Sequence, residues 1–253
     1  MKMWSDNQNI QTTSLLHCSF PLGNLLITAL TRVTGDFDLA IRELNRLLRV
    51  RGRVLPANGG KLTLIAHHHD GSKSTGEEQI ANSGKSIEKL EARPRVLEPA
   101  DDVGRAIEEA DLIVFGPGSL FTSVIPPLLI EGIRRRVIDS YAPKVYIANV
   151  MTQSGETDNM SLFDHLEALE NHVGEKIFDE IITHDGNFPS ELLENYAHLG
   201  SVTVVDCGEL AGRGIRVSVA DLIDHGASTA RHHSGIIGKI ICELALLNSG
   251  KPA

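Results

Sequence analysis

The sequence predicts an α/β protein built on a parallel sheet with helices on both faces. Short β-branched runs, DLIVF (111–115), KVYIAN (144–149) and IRVSVADLI (215–223), alternate with segments of helical period. Runs that are apolar throughout, rather than every second residue, belong to strands buried on both faces. Length agrees: 253 residues with 42 % apolar content suffice for one large α/β core or two small ones. Aromatics are only 4 %, so Leu, Ile, Val and Ala must supply the packing.

Residues 1–21 show no period and are expected to be irregular; one domain is expected over 22–253. LGNLLITALTRVT (22–34) has helical spacing and can stop at Gly35. Asp36 then caps a second helix, whose Phe37, Ala40, Ile41, Leu44, Leu47 and Leu48 share a face and which ends at Gly52. Residues 52–100 have a different texture and read as a β-rich insertion. Within it, RVLPA (53–57) and KLTLIAH (61–67) read as strands around an Asn58-Gly59-Gly60 turn. The polar stretch 71–92 reads as an exposed hairpin or loop, with a strand near Arg95–Leu97. Alternation then sets in. A helix at 102–110 precedes DLIVF, and a helix from about Pro126 to Tyr141 precedes KVYIAN. Ser161 with Asp164 caps a helix at 162–173. IFDEIITH (177–184), SELLENYAHLG (190–200), VTVVD (202–206) and IRVSVADLI continue it, and a last helix spans about Ser234 to Leu247.

Charge and cysteines exclude several classes. A net charge of −9, from 24 basic and 33 acidic residues, gives no basic stripe for a nucleic-acid backbone. Arg134-Arg135-Arg136 reads as the solvated end of a helix. Cys18, Cys207 and Cys242 fit no Cys-x-x-Cys spacing and argue for a reducing cytoplasm. No apolar run reaches membrane-spanning length, and the start lacks a signal-peptide core. The expectation is a cytoplasmic protein without a membrane span, with homo-oligomerisation left open.

In open parallel sheets, ligands bind beyond the carboxyl ends of strands. FGPGSLFTSVIPPLLIEGI (115–133) sits there, after DLIVF. Gly116 and Gly118 allow close approach, and Ser119, Thr122 and Ser123 offer hydroxyls suited to phosphate oxygens. The other reading is a tight turn with Ser123 as a helix cap. At the next strand end, NVMTQSGETD (149–158) offers Asn149 and Thr152, followed by Gln153, Glu156, Thr157 and Asp158; a plain surface turn is the alternative. Arg231 in ARHH (230–233) can clamp a phosphate or pair with a surface carboxylate. HHHDG (67–71) invites a metal reading, but adjacent strand residues point to opposite faces, so a solvated strand end is expected and no metal site. THDGN (183–187) adds His184, Asp185 or Asn187 to the edge, or is a turn.

LGNLLITALTRVTGDFDLAIRELNRLLRVRGRVLPA, FGPGSLFTSVIPPLL, NVMTQSGETD and ARHH together resemble the gluconeogenesis-factor (YvcK-like) branch of the CofD-like family. The likeness runs from about Leu22 to the end. It implies a Rossmann-like fold and, for this branch, a nucleotide-sugar ligand such as UDP-N-acetylglucosamine, with a link to cell shape and cell-wall synthesis on gluconeogenic carbon sources. The other branch, the 2-phospho-L-lactate transferases, moves a phospholactyl group from a nucleotide to a deazaflavin. By resemblance, Gly116, Gly118, Ser119 and Thr122 fall in the phosphate-side loop, Asn149 at the second strand end, and Arg231 at the clamp. The expected ligand is a UDP-sugar or another nucleotide, with no cofactor assigned. Two departures stand out. The family's opening strand and GGGTG-type loop have no counterpart in MKMWSDNQNIQTTSLLHCSF, so an N-terminal βα unit is expected to be missing. The last motif reads Arg-His-His where the family has Arg-His-Asp. Three functions fit: a binding regulator, a phospholactyl-type transferase, or a remnant that binds nothing.

Overall fold

In the computed structural model, the described residues are 22–49, 51–58, 60–95, 98–197, 204, 210, 213–227 and 229–249. The segment 1–21 and, apart from Val204, the strand expected at 202–206 lie outside them. The chain divides into compact units Met1–Pro56 and Ala57–Ala253.

The first unit holds helices α1 (Leu22–Thr34) and α2 (Phe37–Leu47), which pack on each other. Asp36 caps α2, its carboxylate accepting the Leu39 N–H at 2.7 Å. Helix α1 lies where the apolar period puts it; α2 starts as expected but ends at Leu47, with Leu48 its C-cap, short of the expected stop at Gly52.

The second unit opens with a small antiparallel sheet of order β2-β1-β3, formed by β1 (Thr63–His68), β2 (Lys73–Thr75) and β3 (Ile87–Arg93), with the short helix α3 (Glu77–Ala81) between β2 and β3. This corrects three expectations. RVLPA forms no strand. Asn58 instead donates its side-chain amide to the Gly60 carbonyl at 2.8 Å, and the hairpin turn falls at 69–72, where Asp70 accepts the Ser72 N–H at 2.8 Å. The polar stretch 71–92, expected as an exposed hairpin or loop, supplies the hairpin strand β2 but also α3 and β3. It buries Ile80, Ile87 and Leu90, one apolar residue at a time, too sparse a pattern to register as a period. β3 ends before Pro94, a residue with no N–H to continue a ladder; of the strand expected near 95–97, residues 96 and 97 lie outside the described ones. His68 is also not solvated: it is buried, bonded through Nε2 to Ser74 Oγ at 2.8 Å.

The parallel sheet follows, with strands β4 (Ile113–Phe115), β5 (Lys144–Ile147), β6 (Glu180–His184) and β7 (Arg216–Ala220) in that spatial order, all parallel. Alternating side chains feed two cores. Phe115, Tyr146, Ala148 and Ile181 face α5 (Glu131–Asp139), α6 (Leu162–Val173) and the apolar residues of the insertion; α4 (Asp101–Glu108) packs there through Val103 and Ile107. Val145, Ile147 and Ile182 face α7 (Ser190–Ala197) and α8 (Ser234–Ser249). Helices on both faces make this the predicted α/β sheet. The long helix expected from Pro126 is broken. A π-helical turn (Leu120–Val124) and a 3₁₀ turn (Pro126–Leu129) precede α5, and Ile130 is extended. Two successive prolines remove two N–H donors, so no α-helical ladder crosses them. Ser161 and Asp164 form the expected capping box on α6.

Candidate functional site

All four parallel strands present their carboxyl ends at one edge of the sheet. Three loops meet there around a cavity of about 540 Å³, within the range of small-ligand sites. The first follows β4. Gly116 has φ +76°, and a Cβ there would stand 3.0 Å from the Ile147 carbonyl oxygen, so glycine is required by backbone shape and by contact. The second, 149–158, folds back on itself: Gln153 donates its N–H to Thr157 Oγ1 at 2.8 Å. Gly155, at φ +84°, lies against the Gly84 backbone of the insertion. The third, 230–232, is an extended segment bridged through His232 to Ile223.

Side chains tie the three together. Asn149 donates its amide to the Gly118 carbonyl at 3.0 Å and receives the Gly118 N–H at 3.4 Å, joining the ends of β5 and β4. The His232 Nε2–H donates to the Ala148 carbonyl at 3.0 Å, fixing the third segment to β5. That partner sets the tautomer, and burial pushes the His232 pKa below its ordinary value, so the ring is neutral at pH 7. The Tyr196 hydroxyl on α7 accepts the Ala230 N–H at 3.1 Å.

Ser119 caps the π turn, accepting the Thr122 N–H at 3.2 Å, and its hydroxyl donates to Glu156, a buried carboxylate. The Thr122 hydroxyl lies 2.6 Å from Ser119 Oγ and 3.4 Å from Glu156 Oε1. The Ser119 proton is committed to Glu156, and the Thr122 hydroxyl has its acceptors in Ser119 Oγ and Glu156. Arg231 differs. Its side chain is exposed, its Nε–H donates to Thr229 Oγ1 at 3.1 Å, and it makes no ion pair among the described residues.

Of the residues predicted from sequence, Gly118, Ser119, Asn149, Thr152 and Arg231 line this cavity. Gly116, Thr122 and Ser123 do not; Ser123 is exposed and caps nothing, since Ser119 takes that role. Tyr196 and His232 also line the wall and escaped the sequence reading. His232 carried a signal, being the residue after the singled-out Arg231, whereas Tyr196 sits in an ordinary amphipathic helix.

His184, Asp185 and Asp221 bring ligand atoms within 4.8 Å of one another, a spacing a metal can bridge. Yet His184 accepts the Leu222 N–H on Nδ1 at 3.1 Å and donates Nε2–H to the Asn187 carbonyl at 3.1 Å. No imidazole lone pair is left for an ion. Asp185 and Asn187 form a turn, the plainer of the two readings of THDGN.

The family model for 2-phospho-L-lactate transferase CofD matches residues 17–223. A protein of Halalkalibacterium halodurans named gluconeogenesis factor is 38 % identical over 232 residues, 91 % of this chain and 70 % of that protein. The gluconeogenesis factor of Bacillus subtilis is 37 % identical over 224 residues, 88 % of this chain and 71 % of its own. The chain belongs to the gluconeogenesis-factor branch of the CofD family. A crystal structure of a Bacillus halodurans protein superposes on this family member with a TM-score of 0.83 at 38 % identity, covering 88 % of this chain and 72 % of the other. Among the described residues of this gluconeogenesis-factor relative, no helix is long and apolar enough to cross a membrane.

Proposed function

We propose that this chain binds a nucleotide sugar of the UDP-N-acetylglucosamine kind in the strand-end cavity, and acts as a regulator linked to cell shape and cell-wall synthesis on gluconeogenic carbon sources. The observation that carries the reading is Arg231, a cation free of carboxylate partners among the described residues, standing on the same cavity wall as Gly118 and Asn149. A guanidinium so placed suits a diphosphate bidentately. The ties among the loops leave the cavity formed before ligand arrives, which lowers the ordering cost of binding.

Melting curves test it. UDP-N-acetylglucosamine should raise the melting temperature more than N-acetylglucosamine does at the same concentration. Equal shifts, or none at millimolar ligand, would sink the reading and leave a chain that binds nothing at this edge. The name of the matching family model favours a second reading, transfer of a phospholactyl group to a deazaflavin alcohol. Mass spectrometry of the deazaflavin after incubation with a nucleotide-activated phospholactate separates the two, because only a transferase adds that mass.

A further inference from the structure

The run Arg134-Arg135-Arg136, which reads as a solvated helix end, is split by the fold. Arg136 pairs with Glu108 at 2.9 Å and Glu98 at 3.2 Å, and Arg135 is exposed. Arg134 instead enters the wall of a second cavity, of about 570 Å³, between β3, the 3₁₀ turn, α5 and α6. Its Nε–H is buried and donates to nothing among the described residues. Buried donors without an acceptor are rare in folded proteins, and each calls for an explanation such as a ligand or water.

The charges around Arg134 favour an anion. Lys89 on β3 is 64 % exposed and stands a loose 3.7 Å from Glu91. Arg95 is held by Glu131 at 2.7 Å. Among the lining residues three cations (Lys89, Arg95, Arg134) face two carboxylates (Glu88, Glu131); Glu91, outside the lining, partners Lys89, so Arg134 is the cation that no carboxylate engages among the described residues. His172 adds no charge: it donates Nδ1–H to the Ala168 carbonyl at 2.7 Å and accepts the Leu90 N–H on Nε2 at 2.9 Å. Asn171 supplies a neutral amide at the same wall. The space far exceeds a single water, which occupies about 30 Å³ of liquid volume.

We propose that this cavity is a second binding site, for a small multiply charged oxyanion: a phosphate monoester or a polycarboxylate. It shares no lining residue with the strand-end cavity and does not depend on the nucleotide-sugar reading.

The probes are inorganic phosphate and citrate, titrated by calorimetry at ionic strength held constant with sodium chloride. Saturable binding of at least one is expected, persisting in Arg231→Gln. Arg134→Gln and Lys89→Gln should each weaken it by about tenfold or more, as for loss of a charge-assisted bond. Arg135→Gln removes the same charge from the next residue of the helix and should change nothing. The proposal is overturned if neither anion saturates, if Arg135→Gln weakens binding as much as Arg134→Gln, or if Arg231→Gln abolishes it, which would place the anion at the strand-end edge. Should Arg134→Gln not fold, the exposed Lys89→Gln decides. Whichever of phosphate and citrate binds more tightly assigns the ligand to the phosphate or the polycarboxylate class.

Discussion

At the carboxyl edge of the parallel sheet, Asn149, His232, Tyr196 and Ser119 each hold a neighbouring loop or carboxylate in place. Beside β3, Arg134 holds nothing among the described residues. Both walls are polar, and by composition the first looks the richer binding site. By atoms it is otherwise: most donors at the strand ends are already engaged by the protein, and Arg231 carries the main free charge there. A polar loop residue is thus weak evidence of ligand contact until its hydrogen bonds are assigned. Substitutions can separate residues that build the edge from those that meet a ligand.

The largest effect is expected at Gly116. Gly116→Val forces a β-branched residue to a positive φ, with its Cβ 3.0 Å from the Ile147 carbonyl of a central strand. Strain plus the clash should cost about 3 kcal/mol or more of stability. A urea midpoint matching wild type would show that the β4 loop is softer than its contacts imply.

Asn149 and Arg231 make the sharper pair. Asn149→Leu removes both bonds to Gly118, so stability should fall by roughly 1–3 kcal/mol and nucleotide-sugar affinity with it. Arg231→Leu should leave stability within about 0.5 kcal/mol, because the side chain is exposed, yet weaken the nucleotide sugar about tenfold. Calorimetry and denaturation on the same samples read both numbers. If the two variants behave alike, the division between builders and binders at this edge is wrong.

How far this was legible in the sequence follows the same physics. The parallel strands were readable because both faces are buried, which writes continuous β-branched runs; DLIVF and KVYIAN sit where β4 and β5 lie. The capping residues Asp36 and Ser161 were readable because their contacts are local. The insertion was not, since Ile80, Ile87 and Leu90 meet the core singly and β1 finds its partners through turns that composition does not rank. At the site, Gly118, Asn149 and Arg231 were found because strand-end position is a topological fact. Glu156 was seen only as one more polar loop residue; its hold on Ser119 spans 37 positions, which no local pattern encodes.

Acid should loosen the molecule in a window set by buried histidines. Burial is the main cause holding His165, His172 and His232 below their ordinary pKa of 6.5. Below that value the unfolded chain takes up protons that the folded chain refuses, so stability falls as pH drops through about 6.5. The lowered carboxylates Glu91, Asp185 and Asp221 act later, losing their contribution only below about pH 4, near their unfolded values. A lower urea midpoint at pH 5.5 than at 7.5 is therefore expected, with a shallower slope in His232→Gln, whose amide can still donate to Ala148. An unchanged midpoint would mean the His232 tie does not persist in solution.

The smallest effect concerns the departure at residue 233. His233 stands immediately before α8, and its Nδ1 and carbonyl both accept the Ile236 N–H, at 3.3 and 3.1 Å. That is the position and the bond of a helix N-cap, a role in which an aspartate ranks among the best residues. The imidazole lone pair thus does the work of the Asp that the resemblance implies at this position, at longer range and without the negative charge that complements a helix N-terminus. His233→Asp should accordingly raise stability by roughly 0.5–1 kcal/mol and leave nucleotide-sugar affinity where it was. The opposite split, with unchanged melting and tighter binding, would move residue 233 from the residues that build the edge to those that meet the ligand, and would make His233 a determinant of ligand affinity rather than a cap.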